Sequence, residues 1–144
     1  MTMKEKLLEK AAKIIEGCSR ANGAEGGFCT LALIGPDGYP TTTTISVSKA
    51  EGLRWLTFCT DIDSKAERIR FCDKASVCFN SEEYHISLIG KIEMITDPDV
   101  KKEMWYSGLY HHFRGADDPR YCVLKFTTER YNILLDWQEV KGTV

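Results

Sequence analysis

The sequence predicts a mainly β domain: an antiparallel barrel of six or seven short strands with helices only at intervals. Three observations point there. Most segments from residue 28 to residue 136 alternate apolar and polar side chains, the period of two that a half-buried strand requires. Turns rich in Gly, Pro and Asp separate them. Helical periodicity appears in only three places, too few for the crossovers a parallel sheet needs. A length of 144 residues suits one domain spanning 1–144.

The elements follow in order. Met3, Leu7, Leu8, Ala11, Ile14, Ile15 and Cys18 recur at three- and four-residue spacing with Lys and Glu between them, an amphipathic helix over 3–18. Three glycines within residues 21–27 end it in a loop. Phe28 to Ile34 and Tyr39 to Val47 read as a hairpin around Gly35-Pro36-Asp37-Gly38. Within it, Thr41 to Thr44 are four successive β-branched residues that suit a strand and would be poor in a helix. A third strand covers Leu53 to Thr60, and Asp61-Ile62-Asp63-Ser64 offers caps for a short helix over Lys65 to Phe71. Ala75 to Asn80 and Tyr84 to Thr96 are the next strands, the second alternating Tyr84, Ile86, Leu88, Gly90, Ile92 and Met94. Asp97-Pro98 starts a helix that runs through Met104 and Trp105, with Asp capping and Pro in the first turn. After an aromatic and charged loop ending at Asp117-Asp118-Pro119, strands over Tyr121 to Phe126 and Arg130 to Asp136 complete the barrel. A barrel of this size is filled by its own side chains, so a ligand is expected outside it or at a subunit boundary.

Composition narrows the function classes. Nineteen basic against 21 acidic residues leave a net charge of −2, which gives no electrostatic reason for binding nucleic acid or an anionic membrane. No apolar run approaches the roughly 20 residues of a bilayer span, and the charged start, Met1-Thr2-Met3-Lys4-Glu5-Lys6, has no apolar signal core. Cys18, Cys29, Cys59, Cys72, Cys78 and Cys122 form no C-x-x-C pair and mostly sit in apolar runs, as reduced thiols of a cytoplasmic protein do. No zinc or other metal site is expected.

Chemistry concentrates in Thr60-Asp61-Ile62-Asp63-Ser64-Lys65. Hydroxyls and an ammonium at a strand end, where a helix opens, can form an anion site; the same residues can also be a plain cap with a solvated lysine. Trp105, Tyr106, Tyr110 and Phe113 form an aromatic cluster that reads as core or interface packing, or as a shelf for a flat cofactor. His111 and His112 are adjacent, a spacing that rarely serves one metal ion, and His85 lies opposite the apolar face of its strand. No Ser-His-Asp set, phosphate loop or carboxylate pair is present, so the catalytic residues stay unassigned.

From Leu31 to about Asp136 the sequence resembles the pyridoxamine 5′-phosphate oxidase-related family of flavin-binding split barrels. The resemblance rests on Gly38-Tyr39-Pro40, on Leu56-Thr57-Phe58-Cys59-Thr60 followed by Ser64, Lys65 and Ile69, and on Val77 and Phe79. It continues through Tyr84 to Gly90, Asp97, Trp105, Phe113, Gly115, Asp117-Asp118-Pro119, Tyr121 and Leu124. It implies a split barrel of the FMN-binding type (FMN, flavin mononucleotide), working as a homodimer with the cofactor between subunits. By position it implies that Thr60, Ser64 and Lys65 hold phosphate. Thr43 and Thr44 stand on the second strand, where family members often carry an Arg at the position of Thr43, and Trp105 and Phe113 would meet the ring. The implied activity is electron transfer to a small substrate; binding of flavin, haem or a deazaflavin without catalysis, as a store or sensor, is the other reading. Asp136 to Val140 carry no Arg and His substrate segment, which argues against oxidation of vitamin B6 itself.

Overall fold

The fold is described from a computed structural model covering residues 1–22 and 27–144. Helix α1 (Met3–Gly17) opens on Thr2, whose hydroxyl accepts the Glu5 N–H, and buries Leu7, Ala11 and Ile15. The glycine-rich loop expected over 21–27 falls, from 23 to 26, outside the described residues. Then come β1 (Phe28–Ile34), β2 (Pro40–Glu51), β3 (Trp55–Asp61), α2 (Ala66–Phe71), β4 (Lys74–Asn80), β5 (Tyr84–Ile95), α3 (Pro98–Met104), β6 (Tyr121–Leu135) and β7 (Gln138–Thr143).

All strand pairs are antiparallel, in the order β3-β2-β1-β4-β5-β6-β7. A further pairing of β3 with β6 closes six of the strands into a barrel and leaves β7 as an added strand. The expected mainly β barrel is therefore present. Inward residues fill it: Leu31, Leu33, Val47, Leu56, Phe58, Val77, Phe79, Leu88, Phe126 and Ile133 are at most 1% exposed and share one core with α1. No helix among the described residues is long and apolar enough to cross a membrane.

Three elements differ from the sequence reading, each for a local reason. Strand β2 continues to Glu51 because the register slips between Val47 and Lys49. The extra residue, Ser48, is buried outside the barrel core, where its hydroxyl lies 2.6 Å from that of Thr57, itself in contact with Met104. The bulge breaks the period-two pattern and hides the end of the strand. The two closing strands are one, β6, because Thr127-Thr128-Glu129 is a bulge and not a turn: Gly90 pairs with Thr128 and Ile89 with Arg130. Strand β7 was not foreseen. It returns from β6 through Asp136 and Trp137, both at positive φ (52° and 61°), a two-residue turn whose usual Asn-Gly signal is absent. Asp136 is paired with Lys10 at 2.8 Å, an exposed contact contributing about 0–1 kcal/mol.

Asp97 caps α3 by accepting the Asp99 and Val100 N–H groups, and Trp105 is the extended residue that ends the helix instead of its last turn. Before α2, Asp61 accepts the N–H groups of Asp63 and Ser64, which makes a turn; the capping position itself is Lys65, with no side-chain cap.

At the bend of β5 against β6, a β-carbon on Gly90 would collide with the Thr127 carbonyl and touch the Thr128 backbone, which no rotamer can relieve. Gly90→Ala is expected to cost about 1–3 kcal/mol or more in chemical denaturation. Gly17→Ala, where the added carbon meets nothing within 4 Å, serves as its control and should leave stability level or slightly raised.

Candidate functional site

The barrel has a split. Pairing of β2 with β3 runs from Glu51–Trp55 to Val47–Phe58, and beyond that pair no further register is shared. The diverging ends, Thr44 to Ser46 and Cys59 to Asp61, form one wall of a cleft of about 390 Å³. Tyr106, Leu109, His112 and Phe113, from the loop after α3, face it, with Phe28 and Arg120 at the margins. Such a size is ordinary for a small-molecule or cofactor site.

Lys65 is the electrostatic centre of this cleft. It is 7% exposed, and among the described residues its ammonium donates to the hydroxyls of Thr60 (3.4 Å) and Ser64 (3.3 Å) alone. Among the described residues it forms no ion pair. Burial pulls its pKa below the ordinary lysine value; Asp61 works against this and Arg68 with it. Burial would raise the Asp61 carboxyl, but the backbone and hydroxyl hydrogen bonds of Ser64 and the N–H of Asp63 outweigh it and hold the group below its usual range. Asp61 is thus committed to its turn, and Lys65 is a buried cation held by two long contacts to hydroxyls. An anion entering the cleft would supply the partner it lacks.

The two walls are tied together by Arg20. The Arg20 guanidinium lies 6.0 Å from the Phe28 ring centre and 5.7 Å from that of Tyr106, and donates to the Ser46 hydroxyl at 3.4 Å. Three cleft residues from separate segments thereby meet one planar cation. Arg68 ties α2 to β2 by donating to the Thr41 hydroxyl (2.8 Å) and the Ser64 carbonyl (3.1 Å). At the floor, the Cys59 thiol contacts the Met104 carbonyl and the Tyr121 hydroxyl; burial raises its pKa, so it remains a neutral thiol.

Below this wall sits a second small core of Leu109, Phe113, Tyr121 and Val123. The buried Tyr121 hydroxyl donates to the Lys101 carbonyl at 2.8 Å, and the buried Lys101 ammonium donates to the Asp118 carbonyl at 2.9 Å. Asp118 accepts the Arg114 N–H on one oxygen (3.0 Å) and the Arg120 N–H on the other (2.9 Å). The loop that carries His112, Phe113 and Arg120 is therefore held by two buried charged residues and a buried tyrosine.

Of the residues singled out from the sequence, Thr44, Thr60, Lys65 and Phe113 line the cleft. Ser64 lies behind Lys65 as its hydroxyl partner. Thr43 alternates to the side of the buried Ile45 and Val47, and is not among the lining residues. Trp105 packs edge-on between Tyr110 (4.9 Å) and Tyr121 (5.3 Å), outside the lining. His112 lines the cleft, while His111 and His85 are exposed elsewhere. Tyr106, read as part of the aromatic cluster, lines the cleft as well, whereas the lining residues Phe28, Ser46 and Arg120 are not site candidates in the sequence. Only Arg120 carried a signal, as the cation next to the Asp117-Asp118-Pro119 turn. Among the described residues no group of three or more His, Cys, Asp or Glu is placed to hold a metal, and all six cysteines are free thiols.

A six-stranded antiparallel barrel that parts along one seam is a split barrel, and comparison with known proteins identifies its lineage. The chain belongs to the pyridoxamine 5′-phosphate oxidase family, whose family model matches residues 20–134. Among solved structures it is similar to a Clostridium acetobutylicum protein related to general stress protein 26, with 23% identity, 97% of this chain and 96% of that chain covered, and a TM-score of 0.82. It is also similar to a pyridoxamine 5′-phosphate oxidase-related, FMN-binding protein of Nostoc punctiforme (14% identity, 100% and 98% covered, TM-score 0.67). A haem-binding protein of Mycobacterium smegmatis shares the fold as well (14% identity, 92% and 57% covered, TM-score 0.67). No curated protein matches the sequence.

The bracing of the loop has a pH signature. The hydrogen bonds from the Arg114 and Arg120 backbones hold the Asp118 carboxyl below its ordinary pKa. A depressed folded-state pKa adds stability that is present above the unfolded value and lost as pH falls through the folded one. In thermal melts the native protein should therefore lose stability below about pH 4 more steeply than Asp118→Asn, whose amide does not titrate. Equal acid slopes for the two would contradict this role.

Proposed function

We propose that the protein is a flavin-binding oxidoreductase that holds FMN in this cleft and passes electrons to a small substrate. The observation that carries the reading is Lys65, a buried ammonium with two hydroxyl neighbours and no ion-pair partner among the described residues, in a cleft that Phe28, Tyr106 and Phe113 also line. That combination fits a flat ring ending in a phosphate. Thr60 and Ser64 would complete the phosphate contacts, and Thr44 and Ser46 offer further hydroxyls along the seam. Phe28, Tyr106 and Phe113 would line the ring. Bound flavin supplies the redox chemistry; the chain's task is to bind it, orient it and limit water at one face. This accounts for a site without a catalytic dyad.

We further propose that the working form is a homodimer with the cofactor between subunits. Phe28 at the margin of the cleft is 53% exposed, and Tyr39 and Phe71 are 70% and 55% exposed, apolar area that a second copy would cover. Binding of haem is the second reading, and His112 in the lining is the observation that favours it, as a neutral imidazole can ligate iron. The absorption spectrum of the purified, reconstituted protein separates the two.

Two outcomes are expected. FMN should bind more tightly than riboflavin in a fluorescence-quenching titration, and Lys65→Ala should weaken FMN about ten- to a hundredfold while leaving riboflavin unchanged. A charge-assisted contact of about 1.5–3 kcal/mol corresponds to that range. Equal affinity of the native protein for the two flavins would remove the phosphate from Lys65. Light scattering at micromolar concentration should give twice the 16.3 kDa chain mass, and a monomer mass would refute the dimer.

A further inference from the structure

We propose that a second depression, beside the cleft, docks the carboxylate of a small flat-ringed molecule, and so names the substrate class that the flavin would meet. The depression measures about 490 Å³ and shares His112, Phe113 and Arg120 with the cleft, so an occupant would lie directly next to one bound there. Its role as a substrate site rests on the flavin reading; its affinity for an anion does not.

The charge arrangement carries the inference. Arg114 and Arg120 line the depression together with His111 and His112, and none of the four forms an ion pair among the described residues. The one acid in the lining is Asp118, which is 7% exposed and has each oxygen engaged by a backbone N–H of one of these two arginines. Its carboxylate thus fixes the main chain at both arginines and presents little charge to the surface. The brace continues inward, since the Asp118 carbonyl accepts the buried Lys101 ammonium and the Tyr121 N–H. The main chain is held at both positions, and the two exposed guanidiniums can turn from there toward one anion in the depression. In a chain of net charge −2 this is a local concentration of positive charge, answered within the lining by Asp118 alone.

Apolar surface selects the rest of the ligand. The Tyr110 ring is anchored edge-on to Trp105 at 4.9 Å yet 63% exposed, and Pro119 lines the same depression. A flat ring can rest there while its carboxylate takes paired N–H bonds from a guanidinium, a geometry that an ammonium could not offer.

An NMR titration with benzoate tests this, run on the FMN-loaded and the flavin-free protein, with benzyl alcohol and inorganic phosphate as parallel probes. Benzoate should bind both forms and perturb residues 110–120. Arg114→Gln and Arg120→Gln should each weaken it about tenfold, the effect of one lost charge-assisted contact. Lys91→Gln, an exposed lysine on β5, should change nothing. Absence of benzoate binding, or binding unaltered in both arginine variants, would overturn the proposal. Benzyl alcohol binding as well as benzoate would overturn the anion site, and phosphate binding as tightly would overturn the carboxylate class. Arginine-dependent benzoate binding in a protein that takes up no FMN would support the anion site while defeating the flavin reading.

Discussion

The separation of β2 from β3 beyond Val47 and Phe58 is the constraint on which the site depends. Its local cause is the bulge at Ser48, which adds a residue to one strand, increases its twist and turns it away from its neighbour. Strand β3 does not lose its footing as a result, because β6 pairs with it from Trp55 to Asp61. The barrel can therefore open along one seam while the ladder on the other side of β3 stays complete. The interior is packed with aliphatic and aromatic side chains, so a polar ligand has no place inside. The seam is where strand ends, a helix start and a long loop converge, and a cleft forms there.

The electrostatics follow from that geometry. Lys65 is buried because α2 begins as soon as β3 ends, with Asp61 spending its carboxylate on the turn between them. A lysine at the beginning of a helix gains nothing from the helix dipole and loses hydration, and the chain tolerates both at this position. Across the cleft the logic is reversed: Asp118 and Lys101 are buried charges satisfied by main-chain groups, so they stiffen the loop without neutralising its arginines. One wall keeps a buried cation short of partners, and the other keeps its cations at the surface.

Much of this was legible in the sequence where a single local rule decides. The period-two runs placed β1, β4 and β5 within a residue of their observed bounds, and Asp97-Pro98 located α3. Thr60 and Lys65, which line the cleft, stood out as candidates because hydroxyls and an ammonium at a strand-to-helix junction can form an anion site. What escaped depends on contacts between distant segments. The bulges at Ser48 and Glu129 obey pairing partners and not their own neighbours, and the Asp136-Trp137 turn lacks the glycine that normally announces it. Phe28 and Ser46 are tied to Tyr106 across the cleft by Arg20, a residue from before the first strand. Thr43 and Trp105 show the opposite limit: position in a motif named them, while strand alternation and ring packing decide which way they face.

Strand β6 runs through the whole molecule with β5 on one side and, on the other, first β3 and then β7. Without β7, residues 130–135 of β6, which include the buried Tyr131, Ile133 and Leu135, would offer an unpaired edge on which another chain could build. The hairpin removes that edge and replaces it with β7, a six-residue strand that packs Val140 against the core and exposes Glu139 and Lys141. A short charged border is a poor template for intermolecular sheet growth. The terminal strand thus acts as a guard against aggregation, a property that neither the cleft nor the cofactor requires.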